Sequence, residues 1–268
     1  MSAGRKFSKL IRALAAVIRR PALLNAVLDE EDEHAEWFRK KSGMQNGFPE
    51  IDLQDLLTQK SVVEPFAFLD GGSLPTDLAL LKAVAQRINA GTYFEIGTWR
   101  GESVANVASL VPQCYTLNLS DEELQRRQLP QEYIGLHRHF SKNNPNIEHL
   151  FGDSRSFDFG PYEGKMDLVF VDGDHHFDSV VNDTKIAFRL IKKGGAIVWH
   201  DYSNSPEQTR FNVAHAIWEG CPPEKRKDLR AVSHSLCAAY LPFEMPVRER
   251  KYPQNPQKGF RISIEKLQ

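Results

Sequence analysis

The chain has 268 residues, of which 26% are charged and 41% hydrophobic, and its formal net charge is −1. This length suits one α/β domain with an appendage. The balanced charge gives no sign of a nucleic-acid partner, and no apolar run reaches the roughly 18 residues of a membrane span. Cys114, Cys221 and Cys237 lack metal-ligand spacing, so we expect a reducing, cytoplasmic compartment.

Residues 5–20 predict a basic amphipathic helix. Six Lys or Arg residues occur in this stretch, and no acidic residue precedes Asp29. Apolar residues recur at helical spacing, and Pro21 is expected to end or kink the helix. The apolar positions are Phe7, Leu10, Ile11, Leu14 and Ile18. Several interpretations stay open: packing on its own domain or on a homodimer partner, peripheral contact with an anionic membrane surface, or a mitochondrial transit peptide.

We therefore predict two regions, a helical extension over residues 1–45 and a main domain over residues 46–268. In the main domain strand and helix signals alternate along the chain. A helix is predicted at 76–88 with Thr76 as N-cap, and others at 102–111, 132–140 and 177–191, the last closed by a glycine of "KKGG". The predicted strands are 92–96, 114–119, 147–152, 166–172, 196–201, 231–241 and 259–267. Alternation of this kind predicts a mostly parallel sheet with helices on both faces, and the last two strands predict an antiparallel pair.

The stretch "YFEIGTWRGES" (93–103) follows the first strand of this alternating series. Gly97 and Gly101 would let the backbone pass close to a ligand. The dinucleotide fingerprint G-x-G-x-x-G is absent, because position 99 is Trp. Glu95 is badly placed beside a pyrophosphate but suits a cationic or hydroxyl-bearing ligand. S-adenosylmethionine has a sulfonium, an ammonium and ribose hydroxyls, and no phosphate.

This stretch resembles motif I of class I S-adenosylmethionine-dependent methyltransferases. The resemblance continues through "LFGDS" (150–154), "DLVFVDGDHHFDSVVNDT" (167–184) and "LIKKGGAIVWHDY" (190–202). Together these motifs resemble bacterial small-molecule O-methyltransferases in the neighbourhood of the catechol and macrocin enzymes. The resemblance implies an α/β fold with a Rossmann-like, doubly wound, mostly parallel seven-stranded sheet. It also implies methylation of a hydroxyl on a small-molecule acceptor, such as a sugar or a secondary metabolite.

Carried over position by position, the resemblance implies a set of contacts to S-adenosyl-L-methionine. An acidic residue that usually holds the ribose hydroxyls is replaced here by Asn118, with Asp121 as an alternative that reaches back. Asp153 and Ser154 correspond to the loop that holds adenine. The implied cofactor contacts are Glu95, Gly97, Thr98, Gly101, Ser103, Asn118, Asp153, Ser154 and Asp172.

A polar cluster follows the strands at 166–172 and 196–201. Parallel strands lie about 4.8 Å apart, so side chains at adjacent strand ends can converge. The cluster comprises Asp172, Asp174, His175, His176, His200 and Asp201. The resemblance implies Asp172, His200 and Asp201 as ligands of a divalent cation such as Mg²⁺. We predict Asp172, His175 and Asp201 as catalytic, with His175 as general base because an imidazole ordinarily titrates near neutral pH. The histidine in the ligand set suits softer ions, so the cation stays open.

Two other classes of function remain open at this stage. A metal-dependent hydrolase or phosphoesterase could use "GDHH" and "HD", but it would need further ligands and would leave the glycine stretch unexplained. A catalytically silent cofactor-binding module is the other alternative. Cofactor binding without turnover would favour the module, and phosphate release without a cofactor would favour the hydrolase.

Overall fold

The computed structural model describes residues 3–19, 30–69, 71–255 and 258–267. The helices are α1 (Ala3–Arg19), α2 (Glu30–Ser42), α3 (Leu53–Leu56), α4 (Pro75–Arg87), α5 (Glu102–Ala108), α6 (Asp121–Arg126), α7 (Gln131–Ile134), α8 (Phe177–Leu190) and α9 (Phe211–Gly220). The strands are β1 (Glu50–Ile51), β2 (Thr92–Ile96), β3 (Gln113–Asn118), β4 (Ile147–Phe151), β5 (Met166–Val171), β6 (Ile191–Trp199), β7 (Ser203–Ser205), β8 (Gln208–Thr209), β9 (Leu229–Val232) and β10 (Ala238–Tyr240).

The main sheet has eight strands in the order β1-β9-β10-β6-β5-β2-β3-β4. All neighbouring pairs are parallel except the two that β10 forms with β9 and β6. The predicted mostly parallel, doubly wound sheet with an antiparallel pair is therefore confirmed, with eight strands rather than the seven that were expected. From β2 the chain runs outward to β3 and β4 and then returns to β5 on the other side of β2. The strand order reverses between β2 and β5, which is where ligands bind in such sheets.

Strand alternation divides the core between the two faces of the sheet. In β2, Phe94 and Ile96 face one apolar cluster together with residues of α2, α8 and α9. Tyr93 faces the other cluster, which contains residues of α3, α4 and α5. β5 is buried along its whole length, as its almost uniformly apolar sequence predicts for a central parallel strand.

The structure differs from the sequence predictions in its local detail. The "KKGG" glycines lie within β6 rather than capping α8, and the β5–β6 register shifts between Met166 and Leu168. Leu74, not Thr76, is the N-cap of α4, because Asp77 accepts the Leu74 N–H at 2.7 Å. The antiparallel pair is β9 with β10, and the described part of 259–267 contains no strand. The strand predicted at 259–267 from its alternating aromatic and apolar residues is therefore wrong.

The amino-terminal region contains the two helices α1 and α2. Phe38 of α2 is completely buried in the core and contacts rings of Phe48, Phe211 and Trp218. Part of the predicted extension thus packs on the main domain, and a domain boundary at residue 45 stays a prediction. Pro21 and Arg20 lie outside the described residues. No helix in the described ranges is long and apolar enough to cross a membrane.

Candidate active site

A cavity of about 890 Å³ opens at the reversal point between β2 and β5. Its wall contains five of the nine predicted cofactor contacts: Gly97, Asn118, Asp153, Ser154 and Asp172. The predicted catalytic residues Asp172, His175 and Asp201 also line it, as does His200. Strand ends that are far apart in sequence thus meet at one cavity, because parallel strands end at the same edge of the sheet.

The remaining four predicted contacts, Glu95, Thr98, Gly101 and Ser103, lie behind the cavity wall. Glu95 is completely buried, and its carboxyl group accepts hydrogen bonds from the Tyr93 hydroxyl at 2.6 Å and the Thr116 hydroxyl at 3.1 Å. Burial raises the pKa of Glu95 to about 8, against the opposing effect of these bonds. Glu95 therefore contacts β2 and β3 from within the core and is not among the residues of the cavity wall, so its contact with a cofactor stays a prediction.

Gly97 and Gly101 of the turn are required because other atoms of the chain lie where a side chain at these positions would be. Gly97 has φ +101, and a Cβ there would lie 2.0 Å from the Asp172 carbonyl oxygen. Gly101 has φ +80, and a Cβ would lie 2.1 Å from the Ser141 hydroxyl oxygen. Both conformations are left-handed, a region that glycine enters without steric cost. The turn can thus sit directly against the end of β5 and form the cavity floor.

His200 is held between three carboxylates at the ends of β5 and β6. Its Nδ1 lies 3.2 Å from Asp172 and 3.5 Å from Asp201, and its Nε2 lies 3.2 Å from Asp77. Burial lowers the pKa of the imidazole, but the three carboxylates outweigh it, so the pKa lies well above its ordinary value. His200 is therefore a cation in this arrangement, with its ring fixed from both sides.

Backbone bonds between the strand ends place these side chains. The Asp172 N–H donates to the Ile96 carbonyl at 2.8 Å, and the His200 N–H donates to the Val171 carbonyl at 3.0 Å. Asp201 adopts a left-handed φ of 56, which aspartate tolerates better than most residues. Burial raises the pKa of Asp172, whereas the bond to His200 and the charge of His200 lower the pKa of Asp201 against its own burial. The two carboxylates are thus electrostatically distinct.

The remaining three residues of the predicted polar cluster, Asp174, His175 and His176, differ in what they contact. His175 is half exposed, and its Nδ1 lies 3.8 Å from the Asp201 carboxylate. Asp174 instead bonds the ring of His176 and accepts the Ser179 hydroxyl at 2.9 Å. Asp174 and His176 therefore contact one another and Ser179 at the start of α8, whereas His175, like His200, lines the cavity beside a carboxylate.

Sequence reasoning missed two residues of this site, Asp77 and His137. Asp77 lies on α4, far from every motif, and is completely buried. His137 lines the cavity, and its Nδ1 lies 2.6 Å from the Asn118 amide nitrogen. The His137 Nε2 and the Trp99 Nε1 are buried, and neither has a hydrogen-bond partner among the described residues. Asn118, which stands at the end of β3 where an acidic residue was expected, was the one signal in the sequence for the part of the site that contains His137.

Asp121 does not take the place of the missing acidic residue. Both oxygens of its carboxylate lie 3.0 Å from the Arg138 guanidinium, and it is the first residue of α6. The ribose alternative that reached back from Asp121 is therefore disfavoured, and Asn118 with His137 remains at the end of β3.

Comparison with known proteins finds a family match and a curated relative. Residues 94–202 match the model of a family described as a methyltransferase domain. An uncharacterized protein of Acanthamoeba polyphaga mimivirus is 27% identical over 126 residues, which cover 42% of this chain and 52% of that protein. This chain thus spans about half the length of that curated relative.

Solved structures with some similarity to this chain include two methyltransferases. The O-methyltransferase from Bacillus cereus in complex with SAH is 17% identical with a TM-score of 0.42, over 81% of this chain and 94% of that chain. An amino pentose methyltransferase from Micromonospora echinaspora, involved in calicheamicin biosynthesis, is 19% identical with a TM-score of 0.36, over 51% and 58% of the two chains. The family match begins within β2 and ends three residues beyond β6, so it includes the glycine turn and the polar cluster at the strand ends.

Proposed function

We propose that the protein transfers the methyl group of S-adenosylmethionine to a hydroxyl of a small-molecule acceptor. One observation carries this proposal. A single cavity joins the glycine turn at the strand reversal to His175 and Asp201, which lie 3.8 Å apart. A base and a carboxylate beside a nucleoside-sized cavity are what deprotonation of an acceptor hydroxyl requires.

The cavity wall fits the cofactor in its polar groups. Gly97 forms the floor, and Asp153 with Ser154 lies at the end of β4. The Asp153 carboxylate accepts the Arg155 N–H at 3.0 Å and so closes a turn, leaving the loop in position for an adenine ring. When bound, the cofactor supplies an activated methyl group on a sulfonium leaving group.

Recognition of the ribose falls to Asn118 and His137 in this proposal. A buried polar atom without a partner is costly, typically about 1–3 kcal/mol. The His137 Nε2 is such an atom at the cavity wall, and a ribose hydroxyl would satisfy it. Burial lowers the pKa of His137; in its neutral form the Nδ1 accepts from the Asn118 NH₂ group, so the Nε2 carries the proton and would donate to the hydroxyl. Asn118 fixes the ring through Nδ1.

Proton removal from the acceptor is assigned to His175. Its Nδ1 faces Asp201, so its Nε2 is the nitrogen that would take the hydroxyl proton. Asp201 then stabilises the imidazolium that forms, and the raised pKa of His200 keeps a fixed positive charge beside Asp201 and Asp172. The protein's contribution is alignment and proton acceptance, since the leaving group belongs to the cofactor.

A divalent cation such as Mg²⁺ is a second proposal for the same cluster. Asp172, His200 and Asp201 each offer one ligand atom, and these atoms lie within 4.8 Å of one another, the one such group in the described ranges. Because the His200 Nε2 faces Asp77, the Nδ1 is the nitrogen that would face the cation, and it would first have to give up the proton that the cationic ring carries. A carboxylate behind a ligating histidine is the usual second partner of such a ligand.

The test begins with cofactor binding and then measures turnover. We expect calorimetry to show binding of S-adenosylhomocysteine to the wild-type protein. Asp172→Asn and Asp201→Asn should retain that binding but lower methyl transfer by about 10²–10⁴-fold. Asp178→Asn is the matched control, because Asp178 is an exposed acid of the first turn of α8 and should change neither quantity.

A panel of hydroxylated sugars and phenolic compounds serves as acceptors, with S-adenosylhomocysteine formation as the readout. Absence of cofactor binding would overturn the proposal, and release of phosphate from phosphoesters without cofactor would favour the hydrolase. Binding without turnover on the whole panel would favour the silent module. Titration with Mg²⁺ and Mn²⁺, with and without Asp201→Asn, tests the cation separately.

A further inference from the structure

Helix α1 has an exposed apolar stripe along its length. Phe7, Ile11, Leu14 and Ile18 are 65%, 53%, 55% and 78% exposed. They recur at intervals of four, three and four residues, which places them on one side of a helix. More than half of each of these large side chains is open to solvent, so the stripe is an apolar surface that a partner can cover.

Basic residues lie outside this stripe on the same helix. Lys9, Arg12 and Arg19 are all exposed; by helical periodicity Lys9 falls opposite the stripe, and Arg12 and Arg19 fall on one flank of it. Long basic side chains can extend along an apolar face and leave their charges in water or at a headgroup. A helix with this division lies in the plane of a membrane interface rather than across it.

The charge of α1 indicates which partner covers the stripe, a second copy of the helix or a lipid surface. Residues 1–28 contain six of the chain's 34 Lys and Arg residues and none of its 35 Asp and Glu residues, so the other 28 basic residues face 35 acidic ones and that remainder has a net charge of −7. A second copy of the helix would bring like charges together, whereas a surface of acidic headgroups would be attracted by every charge on the helix. Anionic lipid is the complementary partner.

We propose that α1 docks the protein on an anionic lipid surface, with Phe7, Ile11, Leu14 and Ile18 inserted between the headgroups. The negative remainder of the chain faces water in this arrangement, because the same surface repels it. The inference is independent of the proposed methyl transfer, since it uses no residue of the cavity.

The experiment measures co-sedimentation of the full-length protein with vesicles. One set contains phosphatidylcholine alone and the other about one third phosphatidylserine, at low and at raised salt. We expect binding to the anionic vesicles only, weakened by salt. Lys9→Gln with Arg12→Gln should lower the affinity about 30-fold, since each basic residue at such a surface contributes about fivefold. Ile11→Gln with Leu14→Gln should lower it at least about 100-fold.

Ala16→Gln is the matched control, because Ala16 is exposed on the basic side of α1 and its replacement removes neither charge nor apolar surface. It should bind as the wild type does, and thermal unfolding should show that all variants keep the fold. Wild-type protein that ignores anionic vesicles would overturn the proposal. So would a dimer in light scattering that Ile11→Gln with Leu14→Gln converts to a monomer, because the stripe would then cover a second copy.

Discussion

Asp77 joins the active-site cluster to the start of α4, and its replacement by asparagine tests how the site is held together. One oxygen, Oδ1, accepts the Leu236 N–H at 2.8 Å. The other, Oδ2, accepts the Leu74 N–H at 2.7 Å and lies 3.2 Å from the His200 Nε2. Every partner of this carboxylate is a donor. Asparagine offers one oxygen and one NH₂ group, so in either orientation its NH₂ group faces at least one of these donors.

The expected loss follows from the contacts that are broken. The helix-capping bond to Leu74 contributes about 1 kcal/mol, and a hydrogen bond to a charged group contributes about 1.5–3 kcal/mol. Asp77→Asn should therefore lower the free energy of unfolding by about 2–4 kcal/mol, a large share of the roughly 5–15 kcal/mol of a typical domain. Release of one side of the His200 ring should also lower methyl transfer, since the ring would no longer be fixed against Asp172.

Urea unfolding followed by circular dichroism measures the loss of stability. We expect a lower midpoint at an unchanged slope, because the unfolded surface is the same. Asp178→Asn, in the exposed first turn of α8, should cost less than about 0.5 kcal/mol. A double-mutant cycle of Asp77→Asn with His200→Asn should give a coupling of about 1–2 kcal/mol. A loss for Asp77→Asn below about 1 kcal/mol, or no coupling, would refute the assigned contacts.

Three further predictions concern other parts of the molecule. Gly97→Ala should destabilise the fold by more than about 2 kcal/mol in urea unfolding, because its Cβ would lie 2.0 Å from the Asp172 carbonyl oxygen. A variant as stable as the wild type would contradict this close approach of the turn to the end of β5. Burial raises the pKa of Glu95 to about 8, so the folded chain keeps a proton that the unfolded chain releases near pH 4.5. Stability should then fall by about 3–5 kcal/mol as the pH rises from about 4.5 to 8, and Glu95→Gln should remove that dependence; an equally steep profile in the variant would exclude Glu95 as its source. Burial lowers the pKa of His215 to about 4, so stability should fall by about 1–3 kcal/mol as the pH drops from about 6.5 to 4, and a flat profile there would contradict a neutral, buried His215.

The parallel part of the fold could be predicted because its sequence periodicity agrees with its burial. The strand at 92–96 matches β2 residue for residue, and the helix at 177–191 matches α8 to within one residue. Both elements depend on apolar patterns that the core then uses. The pair β9 and β10 was harder to predict, because a three- or four-residue strand has too few positions to show a period.

The site was predicted where a motif lies at a strand end and missed where a side chain arrives from elsewhere. Asp172 and Asp201 follow apolar strands, whereas Asp77 lies on a helix and His137 lies in a turn beyond α7. The face of β2 on which the Glu95 side chain lies could have been predicted from the sequence. It lies two residues after Tyr93 and therefore on the same face of β2, and the two side chains bond at 2.6 Å in the core.

The pairing of β1 with β9 has a consequence for how the chain folds during its synthesis. Ile51 pairs with Val232, about 180 positions later, and the Phe48 N–H donates to the Tyr202 hydroxyl at 2.7 Å. The parallel strands β2 to β6 can assemble while synthesis is in progress, but β1 has no strand neighbour among the described residues until the ribosome has delivered β9. Contacts of such long sequence separation form late, and unpaired apolar segments are the ones that aggregate. During synthesis, β1 is therefore a strand that waits for its neighbour in the sheet until most of the chain has been made.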